Sequence, residues 1–104
     1  MGQLYRWIEE QTGKIVYVGQ VVGDTIVDVY NRIKTERTQY PWTKEKEYII
    51  QYLSGQLLGR SNFTRTETTA LETHFINLYR TGEDGYNKNY QTTGGKNELR
   101  PSDL

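Results

Sequence analysis

Residues 4–19 read LYRWIEEQTGKIVYVG, and this stretch decides the fold. Its alternating aromatic and branched side chains predict one strand over Leu4–Ile8 and a second over Lys14–Val18. The intervening Gln11-Thr12-Gly13 has the length of a hairpin loop. The last residue of a three-residue loop needs a positive φ, which glycine adopts at little cost. The sequence therefore predicts a β-hairpin that turns at Gly13.

The length of this loop also predicts the register of the hairpin. It places three pairs of residues opposite one another: Glu10 and Lys14, Trp7 and Tyr17, and Tyr5 and Gly19. Tyr5 and Tyr17 then lie on the same face of the hairpin as diagonal neighbours. A shift of one residue would separate them, because successive side chains of a strand point to opposite faces.

Downstream of the hairpin, the hydrophobic spacing predicts a helix that is capped by Asp24 or Thr25 and runs to about Arg37. Its expected buried stripe consists of Ile26, Val29, Tyr30 and Ile33. Pro41 should separate this helix from the next segment, because proline lacks the N–H that a helix interior needs. Residues 44–58 fit either a helix or a buried strand, and we favour a strand over Glu47–Leu53.

A second long helix is predicted over Thr66–Arg80. Thr64 followed by Glu67 forms a candidate capping box, and the expected buried stripe consists of Leu71, Phe75, Leu78 and Tyr79, with His74 inside it. Gly82 and Gly85 should end the helical region. The element order is then β-β-α-β-α, an α+β fold with a small three-stranded sheet flanked by helices. We assign residues 1–90 to one domain and residues 91–104 to a polar flexible tail or linker.

Composition limits the classes of function. The chain has 104 residues, enough for one domain, with 35% hydrophobic residues and nine tyrosines. Its 13 basic and 13 acidic residues balance, so a tight nucleic-acid binder is disfavoured, although one positive face would suffice. Without cysteine and with a single histidine, the chain has no thiolate metal site and no site with two histidine ligands. No apolar run is long enough to span a membrane, so we expect a cytoplasmic protein.

The candidate site residues each have an ordinary explanation. Tyrosines in strands usually fill a core or an edge. A pair such as Arg32 and Glu36, four residues apart, is usually solvated on a helix surface. Glu72 would by type be a surface charge, so its replacement by alanine should cost little stability. Asn87, after a glycine and a tyrosine, is typical of a turn.

Taken together, however, these residues resemble the GIY-YIG nuclease superfamily over about residues 3–90. Gln3-Leu4-Tyr5 keeps the tyrosine of the first motif, without its glycine or isoleucine, and Tyr17-Val18-Gly19 is a close form of the second. Arg32 lies on the first helix, where the family carries an arginine. Residues 71–76, LETHFI, resemble the helix that carries the family's metal-binding glutamate, and residues 85–87, GYN, resemble its closing turn.

The resemblance implies a metal-dependent endonuclease that cuts phosphodiester bonds in DNA, with RNA as an alternative substrate. Tyr5 would act as general base or position the attacking water, and Tyr17 would hydrogen-bond the phosphate or the nucleophile. Arg32 would hold the phosphate, and Glu72 would bind one Mg²⁺ or Mn²⁺. Asn87 would order the site. Tyr5 would need positive charge nearby to lower its pKa, and Lys14 and Arg32 are the candidates to supply it. Gly19 would end the second strand and let the backbone bend beside the site.

The chain departs from the family at Glu36, where many members carry a histidine or tyrosine one turn after the arginine. A carboxylate there could bind metal or accept a proton, but it would also repel phosphate. A catalytically weak or inactive module that binds nucleic acid or protein on the same fold is therefore the alternative. If the site is catalytic, Tyr5, Tyr17, Arg32 and Glu72 should converge on one concave face, within reach of one phosphate. A Glu72 side chain on the side of the sheet opposite Tyr17 would make the catalytic interpretation wrong.

Further contacts to nucleic acid are predicted where basic residues alternate with aromatic ones, since such patches stack on unpaired bases. The candidates are Lys34, Arg37, Tyr40, Trp42, Lys44, Arg60 and Arg65. Acidic residues lie among them, so an ordinary charged surface explains the pattern slightly better. Members of the superfamily serve in restriction, repair and mobile elements. So short a chain would depend on intrinsic preference, a homodimer or a specificity partner.

Overall fold

The computed structural model describes residues 2–23, 25–56, 58–60 and 63–87. The elements occur in the order β1 (Gly2–Glu9), β2 (Ile15–Val22), α1 (Ile26–Gln39), a 3₁₀ helix (Pro41–Lys44), β3 (Tyr48–Tyr52), α2 (Leu53–Gln56), α3 (Arg65–Tyr79) and α4 (Thr81–Asp84). The predicted α+β class and the strand between the two long helices are confirmed. The tail expected over residues 91–104, and the last three residues of the predicted domain, lie outside the described residues.

The three strands form one antiparallel sheet in the order β2-β1-β3, so β1 is central and β2 is an edge strand. Tyr5 faces Gly19 and Trp7 faces Tyr17, as the loop length predicts. Gly13 has a φ of 74°, which confirms its role in the turn. The predicted Glu10–Lys14 pair is wrong by one residue. The register shifts after Trp7, and the N–H of Glu9 donates to the carbonyl of Lys14 instead.

The two faces of the sheet carry separate hydrophobic clusters. Because neighbours along a strand point to opposite faces, Leu4 and Tyr5 belong to different clusters. Tyr5 and Trp7 pack with Val29 and Ile33 of α1. On the other face, Leu4 and Val18 pack with Ile76 of α3 and with Leu53. The sheet therefore lies between α1 and α3, and both helices pack against the edge strand β2.

Helix α1 begins after Thr25, whose backbone N–H donates to the carboxylate of Asp28, 3.1 Å away. Its buried residues are Val29, Ile33 and Glu36. The predicted stripe is therefore partly wrong, because Ile26 and Tyr30 are exposed by 40% and 55%. The buried face keeps Val29 and Ile33 and extends to Glu36, whose carboxylate accepts hydrogen bonds from tyrosine hydroxyls of β1 and β2.

Helix α3 begins at the predicted capping box, in which Glu67 N–H donates to Thr64 Oγ1 at 3.1 Å. The predicted stripe is right for Leu71, Phe75 and Tyr79, which are half-buried against the cluster of Leu4 and Val18, and wrong for Leu78 and His74. The buried residues are Thr68, Glu72, Thr73, Ile76 and Asn77, whereas Leu78 is 58% exposed and His74 is exposed. The helix ends at Arg80, which has a φ of 60°, so Gly82 does not terminate it and lies within α4. No described helix is long and apolar enough to cross a membrane.

Candidate active site

The carboxylate of Glu36 is the centre of the candidate site. It lies on the sheet-facing side of α1, and its side chain is only 1% exposed. Its Oε2 accepts hydrogen bonds from Tyr5 Oη at 2.6 Å and from Tyr17 Oη at 3.1 Å. Its Oε1 accepts one from Trp7 Nε1 at 3.3 Å. Arg32, one helical turn earlier, places its Nε 3.6 Å from Oε2.

Glu36 stands in a position that hydrophobic side chains usually occupy, and burial of a lone carboxylate is costly. Three N–H or O–H donors and one guanidinium offset that cost. Burial raises the pKa of Glu36, while the bonds from Tyr5 and Tyr17 and the charge of Arg32 act in the opposite direction. The interpretation of Arg32 and Glu36 as a solvated surface pair is therefore wrong for Glu36, although the Arg32 side chain is 43% exposed.

The two tyrosines are hydrogen-bond donors in this arrangement. Burial, and next the negative charge of Glu36, raise the pKa of Tyr5 and of Tyr17 far above the ordinary value. The expectation that Lys14 and Arg32 would lower the pKa of Tyr5 is therefore wrong. Arg32 acts in that direction but contributes least, and Lys14 Nζ donates to the carbonyl of Asp84, 2.8 Å away.

Tyr5 and Tyr17 differ in their access to solvent. Tyr5 is fully buried, whereas Tyr17 is half-buried. The ring of Tyr5 lies across Gly19, where an added Cβ would stand 2.3 Å from Tyr5 Cζ. Strand β2 continues to Val22, so Gly19 does not end it as expected. Its lack of a side chain instead makes room for the Tyr5 ring.

Glu72 approaches from α3, on the face of the sheet opposite α1. Its Oε1 accepts a hydrogen bond from Gln20 Nε2 at 2.9 Å, and Gln20 shares the α3 face with Val18. The expectation that all four catalytic candidates share one face is therefore wrong. Glu72 still affects the others electrostatically, because Arg32 lowers the pKa of Glu72 and Glu72 raises that of Tyr17. The two groups of residues meet around the edge strand β2.

Glu72 is not a surface charge, because it is only 7% exposed. Burial raises its pKa from 4.5 to about 7, against the opposing effects of the Gln20 bond and Arg32. Its Oε2 accepts no hydrogen bond from the described residues. Because alanine would leave a cavity at this buried position, glutamine is the better probe.

This carboxylate fits a divalent metal ion in one respect. A carboxylate oxygen that accepts no hydrogen bond from the described residues is a hard ligand of the kind that Mg²⁺ and Mn²⁺ prefer. Within the described ranges, no three His, Asp or Glu side chains are grouped to hold a metal. Glu72 would thus be a single protein ligand, with water and substrate oxygens supplying the rest.

Residues 85–87 cover the open edge of β2. Asn87 Oδ1 accepts from the N–H of Val18, and Asn87 Nδ2 donates to the carbonyl of the same residue, both at 2.9 Å. The N–H of Tyr86 donates to the carbonyl of Val16 at 2.8 Å, and a Cβ at Gly85 would stand 2.3 Å from that oxygen. The amide of Asn87 thus replaces a strand partner and fixes the backbone between Tyr17 and Gly19.

Beside the tyrosines lies an aromatic cluster around Trp42. Its ring stacks on Tyr86 at 4.2 Å between centroids and meets Trp7 edge-on at 5.1 Å. Tyr40 is nearly parallel to it, at 6.2 Å. The Trp42 ring therefore contributes to packing, which favours the structural interpretation of this patch over a free stacking platform for bases.

The basic candidates for nucleic-acid contact do not form one described patch. Lys34, Arg37 and Lys44 are exposed on or just after α1, and the Arg37 guanidinium lies 5.9 Å from the Trp7 ring. Arg65 is exposed at the start of α3. Arg60 forms an ion pair with Glu67 at 3.0 Å and lies over Phe63.

Two residues of the site were missed by sequence reasoning. Gln20 holds Glu72, and Trp7 donates to Glu36. Strand alternation predicts the correct face of the sheet for both side chains, because Gln20 lies two residues after Val18 and Trp7 lies two residues after Tyr5. Nothing in the sequence, however, marks their partners, which lie 52 and 29 residues away.

Comparison with known proteins adds no relative. No family model, no curated protein and no solved structure matches the chain.

Proposed function

We propose that the chain is a metal-dependent endonuclease that hydrolyses phosphodiester bonds in DNA. The observation that carries this proposal is the junction at the edge of β2, where Tyr5, Tyr17 and Arg32 meet Glu36 while Glu72 approaches around the strand. These residue types match the needs of phosphodiester hydrolysis, which requires an activated water and compensation of the phosphate charge. The resemblance to the GIY-YIG superfamily in the order of the five polar positions supports the same conclusion.

Arg32 is the phosphate ligand in this proposal. Its Nε is engaged by Glu36, but its side chain is 43% exposed, so the guanidinium can also donate to an anion. Burial would lower the pKa of Arg32, yet the neighbouring oxygens of Tyr5 and Glu36 raise it overall, so the charge is permanent. Tyr17, half-buried beside it, presents a hydroxyl to the phosphate or to the attacking water.

Glu72 holds the divalent ion, Mg²⁺ or Mn²⁺, through the oxygen that accepts no bond from the described residues. When bound, such an ion supplies Lewis-acid stabilisation of charge on phosphate oxygens. Gln20 orients the carboxylate by holding its other oxygen. Asn87 keeps the strand segment that carries Tyr17 in place through Val18.

The second candidate is a module that binds nucleic acid or protein without cutting. Three observations favour it: full burial of Tyr5, the balanced net charge, and the hydrogen bond that holds Glu72 to Gln20 on the sheet face opposite Tyr17. The last is the placement that speaks against a catalytic site. Binding that weakens with salt, without cleavage in any divalent metal, would identify this function. A homodimer or a specificity partner would supply affinity in either case.

The test is cleavage of end-labelled single-stranded DNA, duplex DNA and RNA with Mg²⁺ or Mn²⁺. Wild type should cut one of these substrates, and Glu72→Gln should not. Glutamine preserves the volume of the buried side chain and can still accept from Gln20, so loss of cutting reports the carboxylate itself. Exposed Glu45→Gln is the matched control and should cut like wild type.

A chelator should abolish cutting by the wild type. Equal cutting by wild type and Glu72→Gln would remove Glu72 from the mechanism. Salt-dependent binding without cutting by any of the proteins would favour the binding module.

A further inference from the structure

Glu36 is more than a counter-ion for Arg32, since its carboxylate accepts from three buried or half-buried donors. Both tyrosine hydroxyls converge on one oxygen, Oε2. A structural core position would need no charge here, because an apolar side chain of similar size is often at least as stabilising as a buried ion pair. The arrangement instead keeps a proton acceptor in direct contact with the hydroxyls of the site.

We propose that Glu36 is the terminal proton acceptor of the reaction and that Tyr17 relays the proton from the attacking water to it. This inference rests on the proposed nuclease function. It assigns the base role to Glu36 rather than to Tyr5. It also explains why a glutamate stands where many members of the family carry a histidine or tyrosine.

The relay runs through Tyr17 because, of the two tyrosines, only Tyr17 is both accessible from solvent and hydrogen-bonded to Glu36. Its side chain is half-buried, and its Oη is 3.1 Å from Glu36 Oε2. Tyr5 donates to the same oxygen at 2.6 Å but is fully buried against Gly19, so a water bound to substrate cannot reach it. Tyr5 is then a positioning residue that holds the acceptor oxygen.

Neither tyrosine is suited to remove a proton by itself. Burial and the charge of Glu36 raise both of their pKa values, so a free phenolate would not form near neutral pH. Transfer to Glu36 avoids the phenolate, because Tyr17 gives up its own proton as it takes one. Burial also raises the pKa of Glu36, which makes the carboxylate a stronger base than an exposed glutamate.

The charged and titratable groups around Glu36 are Tyr5 from β1, Tyr17 from β2, Arg32 from α1 and, at longer range, Glu72 from α3. Of these, Arg32 favours the carboxylate form and Glu72 disfavours it. Glu72 is held by Gln20 on the other face of the sheet, so it does not compete for the proton of Tyr17.

Each proton in this relay has a donor and an acceptor. The water oxygen forms a bond to phosphorus while its proton moves to Tyr17 Oη, and the Tyr17 proton moves to Glu36 Oε2. The bond from phosphorus to the leaving oxygen breaks, and that oxygen takes a proton from solvent. Glu36 returns its proton to solvent through Tyr17 after the product leaves.

The test is the pH–rate profile of DNA cleavage for wild type, Glu36→Gln, Tyr17→Phe and Tyr5→Phe, with exposed Glu45→Gln as control. General bases contribute about 100-fold to 10,000-fold, so Glu36→Gln and Tyr17→Phe should each cut at least about 100-fold more slowly. The wild-type rate should level off above the pKa of Glu36. The residual rate of Glu36→Gln should continue to rise with hydroxide concentration.

Tyr5→Phe separates this proposal from the family's base assignment. Loss of the Tyr5 bond raises the pKa of Glu36, so the acidic limb of the profile should move to higher pH while cutting persists. Cutting that is lost with Tyr5→Phe but retained with Tyr17→Phe would overturn the relay. A wild-type profile in Glu36→Gln would overturn it too.

The remaining outcomes separate the two proposals. If Glu36→Gln does not fold, the cleavage rate of Tyr17→Phe tests the relay by itself. A wild-type rate in Tyr17→Phe overturns the relay. If the wild type cuts nothing, the proposed function itself fails and the relay falls with it. Affinity for uncut DNA should be no weaker in Glu36→Gln than in wild type, because glutamine removes a negative charge beside the phosphate-binding Arg32. Undiminished affinity would show that the surface of the site is intact.

Discussion

Replacement of Glu72 by glutamine should stabilise the protein at alkaline pH and leave it almost unchanged at acidic pH. The unfolded chain releases this proton at about 4.5, and the folded protein releases it at about 7. Between these values the folded protein holds more protons, so the unfolding free energy of the wild type falls as pH rises. A pKa difference of one unit corresponds to about 1.4 kcal/mol, so this carboxylate costs the folded state about 3 kcal/mol above pH 7.

Glutamine removes that cost without creating a cavity. Its side chain has the volume of glutamate, and its carbonyl can accept the bond from Gln20 that now reaches Glu72. Removal of the Glu72 charge also favours the carboxylate form of Glu36, because each of these charges disfavours the other. This interaction is already contained in the raised pKa of Glu72, since the charge of Glu36 is one of the causes that raise it, so it adds nothing to the expected difference of about 3 kcal/mol.

The assay is urea unfolding, monitored by tryptophan fluorescence, at about pH 4, below the unfolded-state pKa, and at about pH 8, with the slope of each transition compared. Glu72→Gln should match the wild type at the lower pH and exceed it by about 3 kcal/mol at the higher pH. Exposed Glu45→Gln should behave like the wild type at both. Equal stability of Glu72→Gln and wild type at the higher pH would refute the argument that burial raises this pKa.

Two further substitutions test the supports of the site. Gly19→Ala places a Cβ 2.3 Å from Tyr5 Cζ and should destabilise the protein by about 1–3 kcal/mol in urea unfolding, so a wild-type midpoint would contradict the packing of Tyr5 on β2. Asn87→Ala removes both bonds to the Val18 backbone and should cost about 1–3 kcal/mol. Asn87→Asp keeps the acceptor but turns a buried carboxylate oxygen towards the Val18 carbonyl, so it should cost at least as much as alanine by the same measurement.

The local sequence predicted the hairpin because its signals do not depend on distant residues. Gly13 marks the turn, and the loop length fixes Tyr5 opposite Gly19 and Trp7 opposite Tyr17. Thr64 with Glu67 similarly marks the start of α3, since a capping box is completed within four residues. The predicted pairing near the turn was wrong, because the sequence of alternating side chains does not reveal the irregularity between Trp7 and Ile8 that shifts the register.

The buried faces of the two long helices were predicted less well. A hydrophobic stripe predicts the core only if the core is apolar. Here the sheet presents two tyrosine hydroxyls to α1 and a glutamine to α3, and these select Glu36 and Glu72 for burial. Tyr30 and Leu78, which fit an apolar stripe, are exposed instead.

The sequence by itself determined the hairpin, the order of the elements, and the tyrosine, arginine, glutamate and asparagine from which the candidate site is built. Only the tertiary structure decided what these residues do to one another. Burial of Glu36 beneath Tyr5 and Tyr17 makes those tyrosines donors, and burial of Glu72 raises its pKa to about 7. The physical reason is that desolvation and hydrogen bonding depend on neighbours from other elements, and those neighbours are fixed only when the sheet and helices pack.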